Sequence, residues 1–130
     1  MLAFSSGQYV LLHAFAPNQV AAGVKLWAQI GEYGMSAKLD AKAIRDWLKD
    51  RDGWKVKGKA IRKDFSFKSF RSTIVFVNRI ATLADEAGHH PDIDIRYDKV
   101  TLALSTHDAG GITDKDLELA RAIDFATSAR

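Results

Sequence analysis

The pattern that most constrains the fold is a long amphipathic helix that is followed directly by a glycine and a proline. Ser69 is a suitable N-cap, and apolar residues then recur every three or four positions, at Phe70, Ile74, Val77, Ala81 and Ala84. Phe76, Ile80 and Leu83 widen this stripe. Gly88 provides a C-terminal stop and Pro91 excludes further helix. The sequence therefore predicts a helix over about 70–87, the most buried in the chain.

Shorter patterns on either side predict two more helices and four strands. Asp40 is a plausible N-cap for a helix over about 41–50, and strands follow at about 54–56 and 60–67. Two further strands are predicted at about 93–97 and 100–107, with a turn at 98–99. Thr113 then caps a last helix, with Asp116 in a capping-box-like position. The order α-β-β-α-β-β-α predicts an α+β fold: a four-stranded antiparallel sheet covered on one face by helices.

The segment 51–71 is rich in lysine and arginine and leaves two interpretations open. Its basic residues are Arg51, Lys55, Lys57, Lys59, Arg62, Lys63, Lys68 and Arg71. They could form a patch for a nucleic acid or another polyanion, but the solvent face of a hairpin is favoured. The formal net charge of +3 is too small to indicate a nucleic-acid partner by itself. Lys63 also breaks the alternation of its strand, which fits a strand end or an edge.

Residues 1–34 differ in composition from the rest of the chain. They contain one lysine and one acidic residue, and they lack the arginines of a transit peptide and the basic start of a secretory signal. Polar residues interrupt every apolar run, which argues against a membrane span. We predict that 1–34 is an extension of uncertain status, that either Met35 is the natural start or 1–34 is dispensable, and that 35–130 is the functional domain. With no cysteine in the chain, disulfides and thiolate metal sites are excluded.

Three of the four histidines lie within 19 residues, at His89, His90 and His107. Two of them follow the long helix, and the third is predicted to end the fourth strand. If the last two strands pair with Ile95 opposite Thr101, the three imidazoles come together. Asp85 and Asp116 are placed to accept a hydrogen bond from an imidazole on either side. As residue N3 of a helix, Asp116 also stabilises the helix dipole whether or not it serves catalysis.

The residues alone leave three interpretations of this cluster. The histidines could be structural, or they could hold zinc with an open fourth position. Adjacent ligands on one turn diverge, however, which disfavours a zinc site. The third interpretation is proton transfer, because imidazole titrates near neutral pH and can act as donor and as acceptor.

This histidine pattern resembles the signature of the pterin-4a-carbinolamine dehydratase family. The matching positions are Asp85, His89, His90, Pro91, Tyr97, His107 and Asp116. Flanking residues are also similar: Gly53-Trp54, Tyr97 to Val100, Leu104 to His107, and Gly111 to Thr113. The resemblance covers about Leu39 to Phe125 and nothing in 1–34. Asp85 stands where the family often has a longer glutamate.

The resemblance implies an activity: dehydration of 4a-hydroxytetrahydropterin to quinonoid dihydropterin by histidine acid–base catalysis, without a metal or another cofactor. The catalytic residues that it implies are His89, His90 and His107, with His89 and His107 as the acid–base pair. The implied substrate-binding residues are Gly88, His89, His90, Ser105, Thr106, His107 and Asp108. Asp85 and Asp116 are implied as supporting residues.

The resemblance also implies partners. Members of the family are usually dimers or tetramers, so we expect a homodimer or homotetramer that binds a small pterin. We expect no membrane or nucleic-acid partner. The reaction belongs to tetrahydrobiopterin recycling after aromatic amino-acid hydroxylation. A cytoplasmic location is expected, with import directed by 1–34 left open. An alternative function is that of a non-catalytic dimerisation cofactor or transcriptional coactivator with the same fold.

Overall fold

Three helices and a four-stranded antiparallel sheet make up the part of the chain that the computed structural model describes, residues 36–128. The elements in chain order are α1 (Ala41–Leu48), β1 (Lys55–Lys57), β2 (Ala60–Ser66), α2 (Phe70–Ala87), β3 (Asp92–Arg96), β4 (Lys99–Leu104) and α3 (Asp114–Ser128). The strands lie in the order β1-β2-β4-β3, and every neighbouring pair is antiparallel. The predicted element order and the α+β class are therefore confirmed. Among the described residues, no helix is long and apolar enough to cross a membrane.

The core lies between one face of the sheet and the helices. Its strand residues are Ile61, Val100, Leu102 and Leu104, and all four are completely buried. Ile80 of α2 and Ile123 of α3 are equally buried against them. Each such side chain stabilises the fold by about 1.5–3 kcal/mol through removal of apolar surface from water. The next residues along β4, Thr101 and Ala103, point to the other face and remain partly exposed, so the alternation predicted for this strand is present.

The buried face of α2 matches the predicted one only in part. The buried residues are Thr73, Phe76, Ile80 and Ala84, whereas Phe70 is 52% exposed and Ala81 also faces solvent. Thr73 can be buried because its hydroxyl donates to the backbone oxygen of Ser69, at 3.0 Å. Phe76 packs against the rings of Phe65 and Phe67, with centroids 4.7 and 4.9 Å away. The helix is therefore rotated toward its aromatic contacts, away from the purely apolar stripe.

Lys63 lies in the middle of β2 and faces the helices, so the expectation of a strand end was wrong. Its ammonium binds a carboxylate oxygen of Asp124 in α3 at 2.8 Å, and both side chains are mostly buried. Trp54 donates its indole N–H to the same carboxylate at 3.0 Å. The ammonium also lies within 6 Å of the ring centroids of Trp54 and Phe65. A cation on the inner face is thus stabilised by pairing, while Lys55 and Lys57 in β1 are exposed.

The β3–β4 hairpin is shifted by one residue from the predicted register. Ile95 lies opposite Val100 and Ile93 opposite Leu102, because the two-residue turn is Tyr97-Asp98 rather than 98–99. A shift of one residue moves every side chain to the other face of the sheet. The observed register puts both isoleucines on the same face as the core residues of β4. The predictions made for residues 1–34 and for Met35 lie outside the described residues and stay predictions.

Candidate active site

The end of α2 fixes the backbone of the first histidine. Gly88 has a left-handed conformation (φ 61°, ψ 30°), and its N–H bonds the backbone oxygen of Asp85. The N–H of His89 bonds the backbone oxygen of Ala84 at 3.1 Å. This pair of bonds is the Schellman motif, in which a residue with positive φ reverses the chain at the helix end. His89 therefore leaves α2 in a direction set by Gly88.

The side chain of His89 is held by a buried carboxylate. Its Nε2 lies 2.6 Å from Oδ1 of Asp116, and the Asp116 side chain has no exposed surface, against 13% for His89. Asp116 lies in the first turn of α3, where the helix dipole favours a negative charge. A buried carboxylate is costly unless it is paired and hydrogen-bonded. This short bond therefore connects the end of α2 to the start of α3.

The other carboxylate oxygen of Asp116 is bound from two directions. The backbone N–H of Thr113 donates to Oδ2 at 2.8 Å, which is one half of a capping box. The hydroxyl of Thr106 donates to the same oxygen at 2.9 Å. Thr106 lies just after β4, so Asp116 joins three separate segments: the end of α2, the chain after β4 and the start of α3.

His90 has a different environment from His89. Its Nε2 lies 2.9 Å from Oδ1 of Asp85, but the two side chains are 66% and 78% exposed. Exposed pairs of this kind contribute little, typically about 0–1 kcal/mol, because water screens the charges. Each of the two histidines thus has one carboxylate partner, and only that of His89 is buried.

His107 does not end a strand, and the prediction that it would was wrong. β4 ends at Leu104, and His107 begins a 3₁₀ turn, His107–Ala109, in which it is exposed. The chain turns because Gly110 has a φ of 73° and because Thr106 and Gly111 exchange backbone hydrogen bonds. The side chain of His107 has no hydrogen bond within residues 36–128. Thr106, the residue before His107, binds the Asp116 carboxylate that His89 also binds. His107 is therefore next in the chain to the network of hydrogen bonds around this carboxylate.

The remaining predicted site residues lie around this network. Gly88 and Asp108 are exposed, and Ser105 is partly exposed. Thr106 is also partly exposed, and its hydroxyl is occupied by Asp116. Within residues 36–128, no three histidine, cysteine, aspartate or glutamate side chains are grouped so that they could hold a metal ion.

Sequence reasoning missed the role of Thr113 in the network. Its hydroxyl lies 2.6 Å from that of Thr106, and the residue is completely buried. The capping pattern Thr113-x-x-Asp116 correctly indicated a helix start. It carried no sign that a threonine seven residues earlier would bind the same carboxylate, because that contact depends on how the chain folds after β4.

The amino-acid sequence is similar to those of known proteins. The sequence profile of the Pterin 4 alpha carbinolamine dehydratase family matches residues 37–126. A protein of Roseiflexus castenholzii with the provisional name pterin-4-alpha-carbinolamine dehydratase is 57% identical over 90 residues, which are 69% of this chain and 97% of that protein. A protein of Sulfurisphaera tokodaii with the same provisional name is 49% identical over 87 residues, which cover 67% of this chain and 94% of that protein.

A solved structure is also similar. The crystal structure of a transcriptional coactivator/pterin dehydratase from Brucella melitensis matches with a TM-score of 0.64 at 32% identity, and the match covers 68% of this chain and 96% of that one. The fold, the profile match over 37–126 and the identity to these relatives agree with one another. The chain belongs to the Pterin 4 alpha carbinolamine dehydratase family.

Proposed function

We propose that this protein dehydrates 4a-hydroxytetrahydropterin to quinonoid dihydropterin, with histidines as the acid and the base. The observation that carries the proposal is the bond between His89 and the fully buried Asp116. A buried carboxylate that accepts from an imidazole fixes the orientation of the ring and stabilises its protonated form, which is the arrangement that histidine bases use in enzymes. The membership of the family supplies the substrate class.

The reaction requires one proton to be taken and one to be delivered. A base removes the proton from ring nitrogen N5, and the electron pair of that N–H bond forms the double bond to C4a. The bond from C4a to the hydroxyl oxygen breaks, and an acid protonates this oxygen so that it leaves as water. Since hydroxide is a poor leaving group, both transfers need positioned groups, and each such group typically contributes about 10²–10⁴-fold.

The environments of the histidines suit different roles in this reaction. When His89 takes a proton, Asp116 stabilises the positive charge that the ring gains, as carboxylates do for histidine bases. We therefore assign His89 as the base. His107 is exposed and begins a turn next to Thr106, and we assign it as the acid. His90, with its exposed partner Asp85, would mainly hold the pterin.

The experiment follows the decay of enzymatically generated 4a-hydroxytetrahydropterin by ultraviolet absorbance. We expect the wild-type protein to accelerate the decay, with the activity unchanged by a metal chelator. We expect His89→Ala and His107→Ala each to lose at least about 100-fold in kcat, and His90→Ala to raise KM more than it lowers kcat. Circular dichroism on each variant checks that the fold is retained.

A binding role is the second candidate, because the similar protein from Brucella melitensis is described as a transcriptional coactivator as well as a pterin dehydratase. Binding alone needs no oriented proton acceptor, so the His89–Asp116 pair favours the enzyme. If folded wild-type protein does not accelerate the decay at all, the dehydratase proposal is wrong and the binding role becomes the better one.

A further inference from the structure

The hydroxyls near Asp116 form a chain of hydrogen bonds with one direction. A threonine hydroxyl has a single proton, and Thr106 uses its proton on Oδ2 of Asp116. In the 2.6 Å contact between the two threonines, Thr113 must therefore be the donor. The hydroxyl of Thr113 in turn accepts from the backbone N–H of Lys115, at 3.2 Å. Every proton in this chain points toward Asp116.

This direction determines what remains for His89. The backbone N–H of Thr113 and the hydroxyl of Thr106 together occupy Oδ2. The oxygen left for the imidazole is Oδ1, and a carboxylate can only accept. Nε2 of His89 is therefore the nitrogen that carries a proton in the neutral ring. The carboxylate therefore selects one of the two tautomers of this histidine, and its donors from Thr106 and Thr113 determine which of its oxygens the imidazole meets.

The other ring nitrogen of His89 is not completely enclosed, and the side chain as a whole is 13% exposed. Nδ1 of His89 has no hydrogen-bond partner within residues 36–128. In this part of the chain, the completely buried side-chain nitrogen or oxygen atoms without a partner are Trp47 Nε1 and Arg51 Nε. Nδ1 is not among them, so it keeps some contact with solvent. An unprotonated nitrogen with no partner that water can reach is available to take a proton from a bound molecule.

We propose that Thr106 and Thr113 are positioning residues, whose hydroxyls hold Asp116 so that His89 keeps Nε2 protonated and presents Nδ1 as its reactive nitrogen. This changes the role implied for Thr106, whose hydroxyl serves Asp116 rather than the substrate. The statement about turnover rests on the proposed dehydratase function. The statement about the tautomer does not.

The first test is nuclear magnetic resonance on the full chain without a ligand, with ¹⁵N-labelled histidine. The spectra are recorded at about pH 8.5, where an ordinary imidazole is neutral. In the wild type, we expect ¹⁵N shifts of His89 that show a proton on Nε2 and none on Nδ1. Its Nε2–H proton should exchange slowly with water. In Thr106→Val we expect this exchange to become at least about tenfold faster, because Asp116 loses a hydrogen bond from the hydroxyl.

A matched control comes from the open face of the sheet. Thr101 also donates its hydroxyl to a carboxylate, Oδ1 of Asp64, at 2.7 Å. Thr101→Val therefore removes the same kind of bond at another place, and we expect it to leave the His89 resonance unchanged. Thr106→Ser and Thr113→Ser retain the hydroxyls and should restore the wild-type signal. Thr113→Val should accelerate the exchange less than Thr106→Val, because it acts one bond further away.

The second test is kinetic and distinguishes positioning from substrate binding. We expect Thr106→Val to lower kcat about tenfold with KM unchanged, whereas a residue that binds the ground-state substrate would raise KM. If Thr106 acts through Asp116, Thr106→Val should have little further effect in an Asp116→Asn background.

Three results would overturn the inference. They are a protonated Nδ1 in the wild type, an Nε2–H signal that is the same in Thr106→Val as in the wild type, and an undiminished effect of Thr106→Val in the Asp116→Asn background. If wild-type protein shows no dehydration, the proposed function fails, but the resonance experiment still decides the role of the threonines.

Discussion

At the scale of single residues, two aspartates bind two adjacent histidines, yet only one of the two contacts is protected from water. Asp116 is fully buried, while Asp85 is 78% exposed. The Coulomb attraction of a pair falls steeply as its effective dielectric rises toward that of water. The bond to Asp116 should therefore fix the orientation of His89 and stabilise its charged form. The bond to Asp85 should contribute little to activity or to the free energy of unfolding.

Asparagine substitutions at these two positions test this difference. We expect Asp116→Asn to lower kcat at least about 100-fold, because an amide cannot stabilise a charged imidazole as a carboxylate does. It should also lower the free energy of unfolding by about 1–3 kcal/mol, since donors that the carboxylate now satisfies lose an acceptor. We expect Asp85→Asn to change kcat less than about threefold and the free energy of unfolding by less than about 1 kcal/mol.

The measurements are steady-state dehydration and urea unfolding followed by circular dichroism. Because each variant replaces a carboxylate bound to a histidine Nε2, the pair is matched in chemistry and differs in burial. Equal losses of kcat in the two variants would contradict the assignment of Asp116 as the partner that matters.

At the scale of elements, the end of α2 directs His89 through one left-handed residue. An alanine Cβ at Gly88 would meet no atom within 4 Å, so Gly88→Ala introduces no clash, only backbone strain. We expect a loss of about 1–2 kcal/mol in the free energy of unfolding. Relaxation of the helix end would also displace His89, and we expect kcat of the folded protein to fall several-fold, since small misplacements are costly in catalysis.

Gly58 offers a matched control for this substitution. It lies between β1 and β2 with a φ of 62°, nearly that of Gly88, and it too has open space at its Cβ position. Gly58→Ala should therefore lose similar stability while kcat stays at the wild-type value. If the two alanine variants lose kcat equally, the direction set by Gly88 is not what matters for activity.

The β3–β4 turn contains the one described non-glycine residue with a positive φ, Tyr97 at 55°. A side chain with a Cβ is strained in this conformation, and asparagine tolerates it better. The Tyr97 side chain is 68% exposed, so little packing is lost on its removal. We expect Tyr97→Asn to raise the free energy of unfolding by about 1 kcal/mol, measured by urea unfolding. A lower stability would show that the ring has a partner that offsets the strain.

The features that sequence reasoning placed correctly depend on local chemistry. Asp40, Ser69 and Gly88 end or begin helices as their residue types predict, because a cap acts within one turn of its own residue. The predicted register of the β3–β4 hairpin was wrong because nothing in the sequence indicated that Tyr97 would adopt a positive φ. The predicted face of α2 included Phe76, Ile80 and Ala84, which are buried, but it omitted Thr73. Threonine is polar by composition, while the hydroxyl of Thr73 is satisfied within the helix.

At the scale of the whole molecule, the candidate site exists only where three distant segments meet. The end of α2, the chain after β4 and the start of α3 each supply a partner of Asp116. The bond from the Thr113 N–H follows a local capping pattern, but the bonds from His89 and Thr106 depend on how the chain folds. This dependence is why the contact between the hydroxyls of Thr106 and Thr113 was not found from the sequence. It also means that loss of the fold and loss of the site should occur together.

The segment before α1 is connected to this assembly. The N–H of Leu39 donates to the backbone oxygen of Ile112 at 2.8 Å, one residue before Thr113. The carboxylate of Asp40 accepts from the N–H of Ala43 and caps α1. The side chain of Lys38 packs against Gly111, where a Cβ would come within 3.0 Å of it. Residues 38–40 therefore contribute to the position of the chain that holds Asp116.

Two shortened chains test where the functional part begins. The family profile starts at residue 37, and the contacts of residues 38–40 are all retained in a chain that starts at Met35. We expect this chain to match the full-length protein in kcat and in free energy of unfolding. A chain that starts at Ala41 loses the cap and the bond of Leu39, and we expect it to be less stable by about 1–3 kcal/mol. The measurements are thermal unfolding and dehydration assays on both chains. If the Met35 chain is as unstable as the Ala41 chain, residues 1–34 support the fold, which would contradict our prediction that they are an extension.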